Sequence, residues 1–406
     1  MATCYALDMC ADSRSARSQR FRFRLLVVAI VFLCADAFPQ SADYILYVGT
    51  YTKGGSQGIY AYRFEEKTGR LNSLGLAAET VNPSFVTVDR AGKLLYAVNE
   101  VEKYQGAATG AVSSFTIDHH SWKLKPINQV ASGGTDPCYV ALDKSGKFLL
   151  IANYTGGTVA VIPVAGNGHL SEASSVLKNE GTTGPVKDRQ EGPHAHFIEA
   201  SAGNRFAYVA DLGLDRILIY RFDGQRGVLT RGQSTAGATD RYSASLAPGT
   251  GPRHIAFSAD GKFMYVIGEL DSTVTVFANR DNETYRAVQK ISALPAGFAG
   301  NNTAAEIAMH PSGKFLYTSN RGDDSIAVFA VDRTSGRLTF VEHVSSGGKT
   351  PRNFAIDPAG SHLLAANQDS GNIVAFTIDK SSGRLTSAGE VAKVPSPVCL
   401  VFLAAQ

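Results

Sequence analysis

Two stretches of this chain carry side chains able to do chemistry, in nearly the same cadence. EGPHAHFIEASAGNRFAYVADLG opens at Glu191 and holds His194, His196 and Asp211, while TGPRHIAFSADGKFMYVIGEL opens at Thr250 and holds Arg253, His254 and Glu269. Imidazole titrates closest to neutrality, so His194 and His196 are candidate general bases. Guanidinium offers a planar fork of donors suited to carboxylate or phosphate, and Arg253 is joined by Arg321 and Arg352 in later stretches of the same kind. Glu306 stands in one of those later stretches. Such a set suits an anionic small molecule. His194-x-His196 with Glu269 or Asp211 could ligate a metal, yet no Cys pair or His-Glu-x-x-His spacing supports this, so no metal or other cofactor is expected. Neither a Gly-x-Ser-x-Gly elbow nor a Gly-x-x-x-x-Gly-Lys-Ser/Thr phosphate loop occurs.

These side chains must be positioned by a repeated element. The phrase is a turn glycine, usually between an acid and Lys, flanked by two apolar strands: DRAGKLLYAVN from Asp89, DKSGKFLLIAN from Asp143, EASAGNRFAYVAD from Glu199, SADGKFMYVIGE from Ser258, HPSGKFLYTSN from His310 and DPAGSHLLAAN from Asp357. Upstream of each sits an opener, at Pro83, Pro137, Pro193, Pro252, Ala304 and Pro351. Counted from the openers, His196 falls where other copies have Val140, Ile255, Ile307 and Phe354. Downstream, alternating segments such as GGTVAVIPV and DRILIYRFD read as third strands, and weaker fourth strands follow. Four strands per unit of about 53 residues fit a β-propeller blade.

A seventh opener, Pro397, begins PVCLVF, and the chain then ends without a second strand. The missing partner is YILYVGT from Tyr44, which lacks a first strand of its own. The expected fold is therefore an all-β, seven-bladed propeller closed by pairing of the N- and C-terminal strands in one blade. Residues 178–192 and 231–251 read as inter-blade loops.

Within the 406 residues, Lys and Arg exceed Asp and Glu by 39 to 36. Arg14, Arg17, Arg20, Arg22 and Arg24 precede the apolar run LLVVAIVFL, Leu25 to Leu33, which is too short for a permanent span and is followed by Ala35-Asp36-Ala37. This pattern predicts a signal peptide over residues 1–37, an exported protein, periplasmic or extracellular, with a cytoplasmic one as the alternative, and a single domain over 38–406 with no stable membrane anchor. The remaining charge is nearly balanced, which argues against nucleic acid as a partner. Cys138 and Cys399 fall in apolar strands and read as buried free thiols, and the protein is expected to be a monomer.

First and second strands of a blade run antiparallel, so the start of one and the end of the other share a rim. His194, His196, Arg253, His254, Glu306 and Arg352 start first strands; Glu100, Asp211, Glu269, Arg321 and Gln368 end second strands. All should gather at one mouth of the central channel. Strict alternation would turn His254 and Glu306 away from Arg253.

GPHAHF, DLGLDRILIY, GPRHIAFSADGKFMYVIGEL, AAEIAMHPSGKFLYTSNRGDDSIAVF and PRNFAIDPAGSHLLAANQDSGNIVAF together resemble the lactonase family of seven-bladed propellers, over essentially the whole chain beyond the leader. That family includes propeller-type 6-phosphogluconolactonases and the carboxy-muconate lactonising enzyme. The resemblance implies hydrolysis of a sugar or sugar-phosphate lactone, with catalytic His194 or His196, Arg253 and Glu269. The resemblance carries over Arg321 as well, and with Arg352, His254, Glu306 and Asp211, which the rim geometry places at the same mouth, it is expected to bind substrate. Two alternatives stand beside hydrolysis: lactone formation of the muconate type, and a non-catalytic exported scaffold holding an anionic ligand or partner.

Overall fold

The computed structural model describes residues 43–232, 242–279 and 284–405; the leader expected over 1–37 lies outside them. Among the described residues there is no helix, and the strands form seven sheets. Blade 1 is the composite one: Pro397–Ala404 pairs with Asp43–Thr50, followed by Gly58–Glu65 and Arg70–Glu79. The first strands of blades 2 to 7 are Val86–Val88, Pro137–Leu142, Ala195–Ala200, Pro252–Phe257, Thr303–Met309 and Pro351–Ile356. Each first strand touches the next right round to Pro397–Ala404 and back to Val86–Val88, so the ring is closed. Blade 4 carries a fifth segment, Ser243–Ser245, on its third strand.

Second strands are apolar on both faces because each sheet is packed between two others. In blade 3, Leu149 and Ile151 enter the core shared with blade 2, while Leu150 and Ala152 enter the core shared with blade 4. Blade 1 behaves alike: Ile45 and Tyr47 face blade 2, Leu46 and Val48 face blade 7. This is the period-two pleat with both sides buried, and it makes every blade interface a strip of hydrophobic core. Cys138 and Cys399 are buried and unpaired.

The turns set the register. In blade 3, Asp143 Oδ1 accepts hydrogen bonds from the Lys147 and Phe148 amides at 2.8 and 2.9 Å, and Gly146 takes φ 72°, a conformation glycine adopts without strain. In blade 4 that left-handed place belongs to Asn204, φ 55°, whose amide donates to Ser201 O as that of Gly146 does to Asp143 O. The anchor is Asn204 and not Gly203. Ala195, paired with Asp211, is consequently the counterpart of Pro137, Pro252, Ala304 and Pro351, which pair with Asn153, Gly268, Asn320 and Asn367. The expected equivalence of His196 with Val140, Ile255, Ile307 and Phe354 is corrected: its counterparts are Cys138, Arg253, Ala305 and Arg352.

Immediately after these paired positions the ladder slips. Register shifts between Pro137 and Tyr139, Ala195 and Phe197, Pro252 and Ile255, Ala304 and Ile307, and Pro351 and Asn353 each insert one extra residue into a first strand. A bulge of this kind breaks the alternation of side chains and re-aims the residue it releases.

Candidate active site

The bulges and the ends of the second strands together line a basin at one end of the ring axis. Its wall consists of Tyr51, Glu100, Tyr154, Glu269 and Arg321, each standing just past or at the end of a second strand, with Cys138, His196 and Arg352 from the bulges and with Arg189 and Thr303. The enclosed volume is about 370 Å³, enough for a small molecule. Of the residues expected at the mouth, Glu100, His196, Glu269, Arg321 and Arg352 line this basin, and Arg253 lies directly behind it.

On one side the centre is Glu269. Its Oε1 takes a charged hydrogen bond from Arg189 Nη2, and its Oε2 lies 3.1 Å from Arg253 Nε, 3.1 Å from Arg321 Nη2 and 4.0 Å from His196 Nε2. Burial pushes this carboxyl up, but Arg321, Arg253, His196 and Arg189 outweigh it and hold it well below the usual carboxylate range. Arg253 is 3% exposed and already engaged, for its Nη1 also donates to Ala305 O at 2.8 Å. Arg321 gives Nε to Thr303 O and Nη2 to Ala304 O, and burial lowers it to about 10. Burial, with Arg253 and His254 nearby, holds the His196 imidazole well below its ordinary value, so it is neutral at neutral pH.

Across the basin the arrangement is different. Glu100 accepts from Tyr51 OH at 2.9 Å and from Ser84 Oγ, and it makes no ion pair among the described residues. Burial raises its carboxyl; Arg352, Ser84 and Tyr51 pull it back without cancelling that effect. Arg352 stacks its guanidinium over the Tyr51 ring at 5.3 Å and has no hydrogen bond or ion pair among the described residues. Four guanidiniums, of Arg189, Arg253, Arg321 and Arg352, thus meet two carboxylates, of Glu100 and Glu269. The basin is net positive.

Under the basin lies a sealed layer. His254 Nδ1 donates to Glu306 Oε1 at 2.9 Å, Asn353 Nδ2 donates to Glu306 Oε2 at 2.5 Å, and the Leu400 amide donates to Asn353 Oδ1 at 2.9 Å. These residues belong to blades 5, 6, 7 and 1. Phe85, Tyr139 and Phe197, from blades 2, 3 and 4, place their rings 5.9, 5.2 and 6.0 Å from that of His254. All seven blades therefore meet in one plug, and His254 and Glu306, expected to bind substrate, are its polar half. Nor does His254 turn away from Arg253: the bulge leaves Arg253 Nη1 3.4 Å from His254 Nε2.

Two other expectations are corrected. Asp211 ends a paired strand one position short of the basin. Its carboxylate accepts from the His194 and Leu214 amides and from Asn179 Nδ2, so it braces loops. His194 stands one residue before the paired strand; its Nδ1 donates to Tyr154 O at 3.1 Å and its ring stacks on Tyr154 at 4.5 Å, with Nε2 3.0 Å from Glu191. It supports the wall and does not line it. His194 and His196 consequently diverge and do not form a chelating pair. Among the described residues no three His, Cys, Asp or Glu side chains cluster as metal ligands.

Sequence reasoning missed Arg189 and gave Glu100 no role. Arg189 arrives from the 178–192 loop, where Gln190 is buried and ties itself to Leu212 O and the Val186 amide. No repeat signal marks that position. Tyr51 and Tyr154, by contrast, are the blade 1 and blade 3 counterparts of Glu100 and Glu269, and reading that position in every copy would have found them.

Fold and basin define a closed seven-bladed propeller with an axial, cationic basin. The chain belongs to the family described as Lactonase, 7-bladed beta-propeller, which it matches over residues 45–402. It is 40% identical to the 6-phosphogluconolactonase of Bacillus subtilis over 306 residues, 75% of this chain and 82% of that one. A 6-phosphogluconolactonase of Formosa agariphila is 34% identical over 75% of this chain and 83% of its own length. The structure of the periplasmic gluconolactonase of Pseudomonas aeruginosa superposes with a TM-score of 0.82 at 36% identity, covering 90% of this chain and all of that one.

Proposed function

We propose that this chain is an exported lactone hydrolase that opens a sugar lactone with water in the axial basin. The observation that carries this reading is Arg352: a cation enclosed in the basin wall with all of its donors unbonded among the described residues. In lactone hydrolysis, attack of water places negative charge on the former carbonyl oxygen, and the product is a carboxylate. A fork of donors held beside both stabilises that charge more than the neutral ester. Arg253 is the weaker candidate for this role because its guanidinium is already committed to Glu269 and Ala305. Arg321, with Nη2 and Nε engaged, adds positive field from the other side. His196, as neutral imidazole, offers an acceptor for a substrate hydroxyl.

Export rests on the leader pattern of residues 1–37 and accords with the periplasmic relative. The B. subtilis relative is named for a phosphorylated gluconolactone and the P. aeruginosa relative for gluconolactone. An exported enzyme suits the unphosphorylated class. The test is acid release at constant pH from purified protein offered gluconolactone and 6-phosphogluconolactone in parallel. Release from gluconolactone well above the spontaneous rate is the expected result. Acceleration with the phosphorylated substrate alone overturns the export reading, and tight binding without acceleration overturns hydrolysis.

A further inference from the structure

Within the hydrolase reading, on which this inference rests, we propose that Glu100 is the catalytic residue that takes the proton from the attacking water and returns it to the leaving ring oxygen. Three groups in the basin could accept a proton, and their surroundings separate them. Glu269 is surrounded by Arg189, Arg253 and Arg321, and taking a proton there would leave three cations without their counter-charge. His196 is a neutral imidazole whose protonation is opposed by burial and then by Arg253 and His254.

Glu100 is the remaining carboxyl of the basin wall, and geometry suits it to the task. Tyr51 and Ser84 hold both of its oxygens in place by hydroxyl hydrogen bonds without neutralising it. Arg352, whose ring-stacked fork is unbonded among the described residues, is beside it, so an oxyanion on Arg352 and a water on Glu100 can share one substrate carbon. The groups acting on Glu100 are Arg352, Tyr51, Ser84 and Asp136, with Cys138 also close. Their balance, dominated by burial, leaves its affinity for a proton above that of an ordinary carboxylate, as a base working near neutrality requires. Two carboxyls driven apart in this way are the usual basis for assigning acid–base roles.

The Glu100 carboxylate removes a proton from water while the water oxygen bonds to the lactone carbon, and the carbonyl π electrons move to the oxygen facing Arg352. The tetrahedral intermediate re-forms the C=O, the bond from carbon to ring oxygen breaks, and that oxygen takes the proton from Glu100. The hydroxy acid then releases a proton to solvent as the carboxylate.

The test compares wild type with Glu100→Gln, Glu100→Asp and Tyr51→Phe on the lactone that wild type opens. Glu100→Gln should lower kcat by about 10²–10⁴-fold, the usual contribution of a general base, with KM changed by no more than a few-fold. Glu100→Asp should recover part of that loss. The acidic limb of kcat/KM should lie above the ordinary glutamate value of about 4.3 and move to higher pH in Tyr51→Phe, because a donor to the ionised carboxylate is gone. Wild-type-like turnover in Glu100→Gln, an acidic limb unmoved in Tyr51→Phe, or a limb that vanishes in His196→Gln but persists in Glu100→Gln overturns the proposal while leaving lactone hydrolysis intact. Failure of wild type itself to open any lactone overturns the hydrolase reading first and this assignment with it.

Discussion

Glu100 and Glu269 occupy the same position in blades 2 and 5, one residue past the paired second strand, yet their neighbours differ in kind. Arginines from blades 5 and 6 and from the 178–192 loop converge on Glu269. Hydroxyls from blades 1 and 2 and an otherwise unbonded arginine from blade 7 surround Glu100. One carboxylate is thus a fixed counter-ion that orders cations; the other keeps its freedom to titrate. A repeated fold supplies seven equal positions, and chemistry arises where neighbouring blades break that equality.

The comparison is open to direct attack. Replacing Glu269 by Gln leaves Arg253 buried without its partner and should cost about 3–5 kcal/mol, read as a drop in denaturant midpoint at pH 7. The ionised form of Glu269 contributes stability that is complete above the unfolded glutamate value of about 4.3 and is lost only as pH falls through its lower folded value, so the gap to wild type should close in strong acid. Glu100 has the opposite sign: a raised carboxyl stabilises the fold below the unfolded value and loses that contribution as pH rises through the folded one. Glu100→Gln should therefore melt no lower than wild type at pH 7, and equal destabilisation by the two variants would erase the distinction.

Next in size, Arg352→Met should lower kcat by about 10²–10³-fold, as loss of an oxyanion donor does. A change confined to KM would make Arg352 a binding group only. Smallest of all, His194→Ala removes a ring stack worth about 0.5–1.5 kcal/mol and should cut turnover less than about tenfold. A hundredfold loss would return the proton-accepting role to His194.

Much of the fold was legible because its signals are local. The Asp-x-x-Gly turns, the openers and the split blade at the termini follow from strand alternation and from glycine at positive φ. The misreading of the blade 4 register came from the same kind of signal. In blade 4 the left-handed turn residue is Asn204 and the paired opener is Ala195, so counting from Pro193 moved His196 two positions away from its true counterparts Cys138, Arg253 and Arg352. The bulges that aim these residues leave no mark in the pattern of apolar residues, since they only add one position to a strand.

By itself, then, the amino-acid sequence determined the number of blades, the closure of the ring and the gathering of His, Arg and Glu at one mouth, because hydrophobic periodicity and turn chemistry act between near neighbours in the chain. Only the tertiary structure decided which of those groups meet. It put His254 and Glu306 into the plug, moved Arg253 behind Glu269, brought Arg189 in from a loop and set Arg352 over Tyr51 beside Glu100. Contacts across the axis join residues from as many as seven blades, and their burial and charge depend on every other group packed there.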